Sequence, residues 1–400
     1  MPLKENILVL TENFPPKSGG SGRWFWELYS RLEVDNGFSI TVVSDDEVSS
    51  YNEGEELSHD NLTLIRMPLR SWEWGFKSIH GIKFYYSTIR RLRKITKQQQ
   101  ITQIHCGRII HEGVSAWLLK KLSGIDYICY IHGEDVETAA VSREHSLLVK
   151  QVCKHATRLI CNSYNSQRIT QALGFASTEK TTVLHPGVDS QLFKPAGADH
   201  GFRRSMGWDD KFVILTVGRL QARKGHDKMI EALSLLRSTI PNVHYAIIGD
   251  GECKGSLSAL CKKLALEDKV QFLSGLNDEN MIACYQQCDL FILPNRTIEN
   301  DIEGFGMVLV EAQSCGKIVI AGDSGGTKET MLPEETGFVI DCNDVSLIAK
   351  KIQQIYTQSY DIEKMQTAAR QHVVANLDWQ SHVKKAQNLF EQISQGLHKN

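Results

Sequence analysis

Short apolar, β-branched runs alternate along the chain with longer stretches in which apolar residues recur every three or four positions. In the first half the runs fall at residues 6–11, 38–44, 62–67, 103–108, 126–132, 158–162 and 181–184. Runs of this length between helical stretches predict a parallel sheet with helices packed on its faces. The rhythm breaks at residues 185–211, where Pro186, Pro195 and four glycines interrupt it, and a linker is expected there. It restarts at 212–217, 244–248, 270–273, 290–293, 317–321 and 337–340. Two doubly wound α/β domains are the simplest architecture, and ligands of such sheets bind beyond the carboxyl ends of the strands.

Length agrees with this, because 400 residues exceed one ordinary core and suit two. With 42% apolar and 23% charged residues the chain is neither disordered nor of low complexity. Its 45 basic and 47 acidic residues give a net charge of −2, which excludes a globally basic nucleic-acid binder. No apolar run approaches the roughly 18 residues of a membrane span, and the first residues lack the pattern of a secretory leader, so a cytoplasmic location is expected. Ten cysteines occur without a Cys-x-x-Cys pair, and Cys129 and Cys161 lie inside strand-like runs; they read as reduced core residues, with no metal site.

The unusual residues fall in the loops after strands. Gly218-Arg219 ends the first strand of the second half, and Arg223-Lys224-Gly225 precedes its helix. Cations crowded at a strand end offer point charge and forked donors to a phosphate or diphosphate, against the alternative of a solvated loop. In the stretch from Glu303 to Ala312, Gly304 and Gly306 permit close backbone approach, and the apolar run after them predicts a buried helix. Its first amides, near Phe305, Gly306, Met307 and Val308, would suit a diphosphate. Glu311, one turn into that helix, has two acceptor oxygens for a sugar or ribose diol. An acid in so apolar a helix needs a partner, and a structural ion pair with Lys317 or Lys328 is the competing reading.

These motifs resemble the retaining nucleotide-sugar glycosyltransferases of family 4, which have the GT-B fold: two Rossmann-like domains facing a central cleft. The resemblance spans nearly the whole chain. Glu303 to Glu311 is similar to the family's Glu-x7-Glu motif, Gly218-Arg219 with Lys224-Gly225 to its diphosphate loop, and Gly325-Gly326-Thr327-Lys328-Glu329 to its later glycine turn. Residues 6–22, with Phe14-Pro15-Pro16 and Gly19-Gly20, resemble the acceptor-side first loop, and His185-Pro186-Gly187-Val188-Asp189 the interdomain stretch. The resemblance implies an acceptor-side domain at 1–190, a donor domain at 191–378, and a final helical segment at 379–400 packing back on the first.

It also implies roles. Arg219 and Lys224 would neutralise the departing diphosphate in place of a metal. Glu311 would bind ribose hydroxyls, and Glu303, with the amides of Phe305, Gly306 and Met307, those of the transferred hexose. Leu276, beside Gly275, would neighbour the base, while Gly19 and Gly20 would let backbone approach the donor. His132, at a strand end, would lie near the sugar, with proton transfer a lesser alternative. The implied activity is metal-independent hexosyl transfer, with retention, from a UDP- or GDP-linked sugar to a glycan, lipid-linked or small-molecule acceptor, with no cofactor and no nucleic acid. A non-catalytic sugar-nucleotide-binding protein is the alternative.

Two features pull elsewhere. Gly249-Asp250-Gly251 with Gly255 imitates a dinucleotide fingerprint, but follows the second strand of its domain rather than the first, which speaks against an NAD-dependent oxidoreductase. Residues 77–108 hold eight Lys or Arg and no Asp or Glu, interleaved with Phe84, Tyr85, Tyr86, Ile89 and Leu92. That helix is either an ordinary surface element or a peripheral contact with the cytoplasmic face of an anionic membrane.

Overall fold

Thirteen strands form two parallel sheets in a computed structural model that describes residues 5–15, 20–32, 37–45, 62–71 and 75–397. The first sheet comprises β1 (Glu5–Thr11), β2 (Phe38–Ser44), β3 (Leu62–Arg66), β4 (Gln103–Cys106), β5 (Asp126–Ile131), β6 (Arg158–Cys161) and β7 (Thr181–Val183). The second comprises β8 (Phe212–Val217), β9 (Val243–Ile248), β10 (Val270–Leu273), β11 (Leu290–Leu293), β12 (Val319–Gly322) and β13 (Gly337–Ile340). Their orders are 3-2-1-4-5-6-7 and 10-9-8-11-12-13. Both orders reverse beside the first strand, between β1 and β4 and between β8 and β11, the crevice where doubly wound sheets take ligands.

The continuous apolar runs follow from burial on both faces. In β8 and β9, Ile214, Tyr245 and Ile247 enter one core while Val213, Leu215, Val217, Ala246 and Ile248 enter the other. Successive side chains point to opposite sides, so neither face could accept a polar residue cheaply.

The chain divides into two compact units, Met1–Pro186 with Trp379–Asn400, and Gly187–Asp378, so the change of unit falls at 186/187. Most of the segment expected to be a linker, 185–211, is built into the second unit. Phe193 and Trp208 are fully buried in one of its cores, and a helix forms at His200–Ser205. Burying each large apolar side chain is worth about 1.5–3 kcal/mol, more than its prolines and glycines take away. Composition alone had hidden the two aromatic anchors.

In the first unit the helix Trp379–Leu397 lies against the helix Gly20–Ser30. Trp24 Nε1 donates to His382 Nε2 at 3.0 Å, so the other ring nitrogen, Nδ1, carries the proton it donates to the His185 carbonyl at 2.6 Å. Phe390 stacks on Tyr29, with ring planes 2° apart. The ten cysteines are unbridged and nine are buried, where a thiol packs as a small hydrophobe.

Candidate active site

In the second unit, β8 and β11 are neighbours, and the loops beyond their carboxyl ends converge. Lys224 closes a short 3₁₀ turn, Ala222–Lys224, after β8; Glu303 lies in the loop after β11. One carboxylate oxygen, Glu303 Oε2, accepts from Lys224 Nζ at 2.5 Å and from Arg223 Nη1 at 2.6 Å. Its Oε1 has no partner among the described residues. Arg223 Nε also pairs with Asp301 at 3.0 Å. Lys224 and Glu303 are only 8% and 9% exposed. Burial would raise the Glu303 pKa, but the charges and hydrogen bonds of Lys224 and Arg223 bring it down to about 2, so it is an anion at any physiological pH.

Backbone packing fixes this cluster. Gly325 has φ +67°, and a Cβ there would stand 1.8 Å from the Glu303 carbonyl oxygen, while Gly326 N–H donates to that oxygen at 2.9 Å. The glycine turn thus clamps the backbone that carries Glu303. Gly218 lies against Lys224, whose Nζ would be 3.9 Å from a Cβ at 218. Arg219, on the same loop, is exposed, and its carbonyl meets His226 Nε2 at 3.2 Å.

Gly306, at φ +93°, caps the helix Met307–Ser314, and no side chain closes that end. Phe305 is buried in the core, while Met307 and Val308 are half-buried at the helix start. Glu311 is 6% exposed and accepts from the Tyr285 hydroxyl at 2.6 Å. Leu276 is half-buried after β10, beside Gly275.

In the first unit, His132 follows β5. Its Nε2 lies 2.8 Å from the Gly107 carbonyl, which can only accept, so this nitrogen carries the proton and Nδ1 is the acceptor. The ring packs edge-on against Trp24 and Phe25. Burial lowers its pKa, although Asp135 opposes the shift, so the imidazole is held neutral. Asp135 Oδ1 accepts from the amides of His132, Gly133 and Val136, fixing the turn.

Two family models match in succession: Glycosyltransferase Family 4 at residues 18–192 and Glycosyl transferases group 1 at 201–372. The chain belongs to glycosyltransferase family 4. This glycosyltransferase is 27% identical over 399 residues to a GDP-mannose-dependent monoacylated alpha-(1-6)-phosphatidylinositol monomannoside mannosyltransferase of Corynebacterium glutamicum, covering 98% of this chain and 99% of the relative. It is 25% identical to a GDP-mannose-dependent alpha-(1-6)-phosphatidylinositol monomannoside mannosyltransferase of Mycolicibacterium smegmatis, covering 94% and 95%. Among solved structures, the sucrose-phosphate synthase of Thermosynechococcus elongatus superposes with a TM-score of 0.81 at 20% identity, covering 98% of this chain and all of that one. The fold is GT-B.

Of the residues singled out from the sequence of this glycosyltransferase, Gly218, Lys224, Glu303 and the Gly325-Gly326 turn meet at one place. Glu311 has the Tyr285 phenol as a partner, and Lys328, one of the two lysines considered for it, is exposed. Gly20 opens the helix Gly20–Ser30 and is exposed, while Gly19 lies outside the described residues. Phe14, named with the first loop, is a core residue at 1% exposure. The imitation fingerprint has a packing origin: a Cβ at Gly249 would sit 2.0 Å from the Gly218 carbonyl oxygen, and one at Gly251 2.7 Å from that of Leu220. Those glycines let two strand-end loops touch. The sequence motifs give Arg223 no role of its own beside Lys224 and do not include Asp301. Tyr285 carried no signal at all.

Proposed function

We propose that this glycosyltransferase moves a hexosyl group from a nucleoside-diphosphate sugar to a lipid-linked acceptor, with retention of configuration and without a metal ion. The observation that carries this reading is the buried Lys224–Glu303–Arg223 cluster beside the uncapped helix start at Gly306. Negative charge grows on the diphosphate as the glycosidic bond breaks, and fixed cations already placed there need little reorganisation to meet it. Lys224 would turn its remaining protons to the leaving phosphate, with Arg219 as a second cation from the same loop. Glu303, held ionised, acts as a hydroxyl acceptor through its open Oε1 and not as a general acid. Glu311 would take the ribose diol, its geometry set by Tyr285. His132, neutral and with Nε2 committed to Gly107, suits a sugar contact better than proton donation. GDP-mannose is the first donor to try, because both curated relatives are named for it.

The test is a panel of nucleotide sugars, read by thermal shift and slow donor hydrolysis, with and without a chelator. Stabilisation and hydrolysis with GDP-mannose, unaffected by the chelator, are expected; stabilisation by a nicotinamide dinucleotide alone would overturn the reading. Product anomers read by NMR decide retention.

A peripheral contact with an anionic membrane is supported by the helix Ile79–Gln98. Tyr85, Ile89 and Leu92 turn into their own domain, but Ile79, Ile82 and Tyr86 remain 73%, 52% and 69% exposed on a face flanked by Lys83 and Arg90. Glu144 accepts from the Phe76 amide, which draws the start of this helix towards exposed Val141 and Leu147. Salt-sensitive flotation with phosphatidylglycerol liposomes is the expected result, and no flotation at low salt would exclude the contact.

A further inference from the structure

One buried titratable group of the second unit has no part in the chemistry assigned above. His226 opens the helix His226–Leu236, directly after the turn that carries Lys224, and is 1% exposed. Its ring lies between two oxygens, with the Arg219 carbonyl 3.2 Å from Nε2 and the Tyr245 hydroxyl 3.2 Å from Nδ1. The Arg219 carbonyl also accepts from the Gln221 amide at 2.9 Å, but that bond stays within the turn. The imidazole is what ties the turn to the middle of the sheet.

The line of hydrogen bonds continues inward. Tyr245 Oη, on β9, donates to Thr216 Oγ1 at 2.9 Å, and Thr216, on β8, donates to the Ile292 carbonyl of β11 at 2.5 Å. Both ends of the line are carbonyls, which only accept, so each of the four contacts between them needs a proton from the three side chains. Thr216 and Tyr245 bring one each, and a neutral imidazole brings one more. The line is therefore one proton short. The gap falls at Nδ1, because Nε2 must donate to Arg219 and the phenol proton goes to Thr216. An imidazolium would complete it.

Burial and charge oppose that extra proton, and a ligand can change the charge. Burial holds His226 down at about 4 and the Lys224 cation adds to the effect, while the Arg219 carbonyl and Asp227 pull the other way. Asp227 is itself paired with Arg296 at 2.9 Å. Tyr245 and the thiols beside it, Cys261 and Cys342, are held protonated by burial and offer no charge. A diphosphate set against Lys224 would cancel the opposing cation and favour the imidazolium. We propose that His226 is a positioning residue of the donor site, holding the Arg219 backbone through Nε2 and taking a proton from solvent at Nδ1 when a diphosphate group binds beside Lys224. The proposal rests on the glycosyl-transfer reading and deepens it.

Titration calorimetry on the full chain tests it, with GDP, UDP and inorganic pyrophosphate as probes at pH 6 in buffers of different ionisation enthalpy. Binding should draw at least about 0.3 proton more into the wild type than into His226→Gln, and wild-type affinity should rise more steeply than the variant's from pH 7.5 to 6, as about 0.3 proton or more of linked uptake requires. At pH 7.5, His226→Leu, which removes both bonds of the ring, should weaken binding about fivefold, and His226→Gln, whose amide can still donate to Arg219, no more than about twofold. Melting curves verify that the variants fold, and if His226→Leu does not, the proton count of His226→Gln decides. Nucleotide binding with equal proton uptake in wild type and His226→Gln would overturn the proposal and leave the glycosyl-transfer reading standing. Pyrophosphate binding with the extra proton, without affinity for either nucleotide, would support the role of His226 and sink that reading. Binding of none of the three would overturn both.

Discussion

Glu303 is buried and charged at once, a costly combination that Lys224 and Arg223 make tolerable. Removing Lys224 therefore leaves an unbalanced acid and, on the proposed function, an unassisted leaving group. Lys224→Ala and Glu311→Ala should each lower turnover at least tenfold, about 1.4 kcal/mol of barrier, in steady-state assays with the donor that the panel identifies. Arg219→Lys should also slow the reaction, since one ammonium does not replace a fork of donors. Arg223→Gln has a different readout. The folded pKa of Glu303, about 2, lies below its ordinary 4.5, so its contribution to stability is present above 4.5 and is lost as the pH falls towards 2. With one cation removed, the folded value should rise towards 4.5, so that loss should be smaller and complete at higher pH, visible in denaturant melts between about pH 2 and 5 as a shallower acid limb.

Strands were the most legible elements. Residues 38–44 and 212–217 are apolar runs with sharp polar or glycine borders, and the strands end where the runs do. The run at 317–321 misleads by two residues at its start, because Lys317 N–H closes the preceding helix on the Ala312 carbonyl before β12 begins at Val319. The loops of the candidate site were legible because their residues are close in sequence: Gly218 to Gly225 is one turn, and Glu303 to Glu311 one loop and helix. Tyr285 was not, since it meets Glu311 from another helix 26 residues away. The helix Trp379–Leu397 depends on a polar tie of the same long range. His382→Ala would strand both the Trp24 indole N–H and the His185 carbonyl, and should cost about 1–3 kcal/mol in chemical unfolding.

Across the whole molecule, buried neutral imidazoles set the response to acid. Burial lowers His105 and His382 to about 3, and His226 to about 4, partly opposed at the latter two by hydrogen bonds to carbonyls. Each folded value lies below the ordinary 6.5, so the unfolded chain binds the extra protons and stability falls as pH drops from 6.5 towards 3. Melting temperature should decline steadily over that window, earlier than carboxylates alone would dictate, and a flat profile between about pH 6 and 4 would contradict it. Both units contribute, since His105 and His382 belong to the first and His226 to the second.

The connectivity of the units has a practical corollary. Residues 187–378 are a continuous passage of chain inserted into a host whose own two pieces are far apart in sequence. At the point of insertion its two ends are already joined, Val188 N–H bonding the Leu377 carbonyl at 2.8 Å. An excised 187–378 polypeptide should therefore fold and retain nucleotide affinity in calorimetry, whereas a product stopped at 186 lacks the Trp24 and Phe390 contacts and should aggregate. Evolution could exchange the inserted body, and with it whatever its loops bind, without disturbing how the host is sealed.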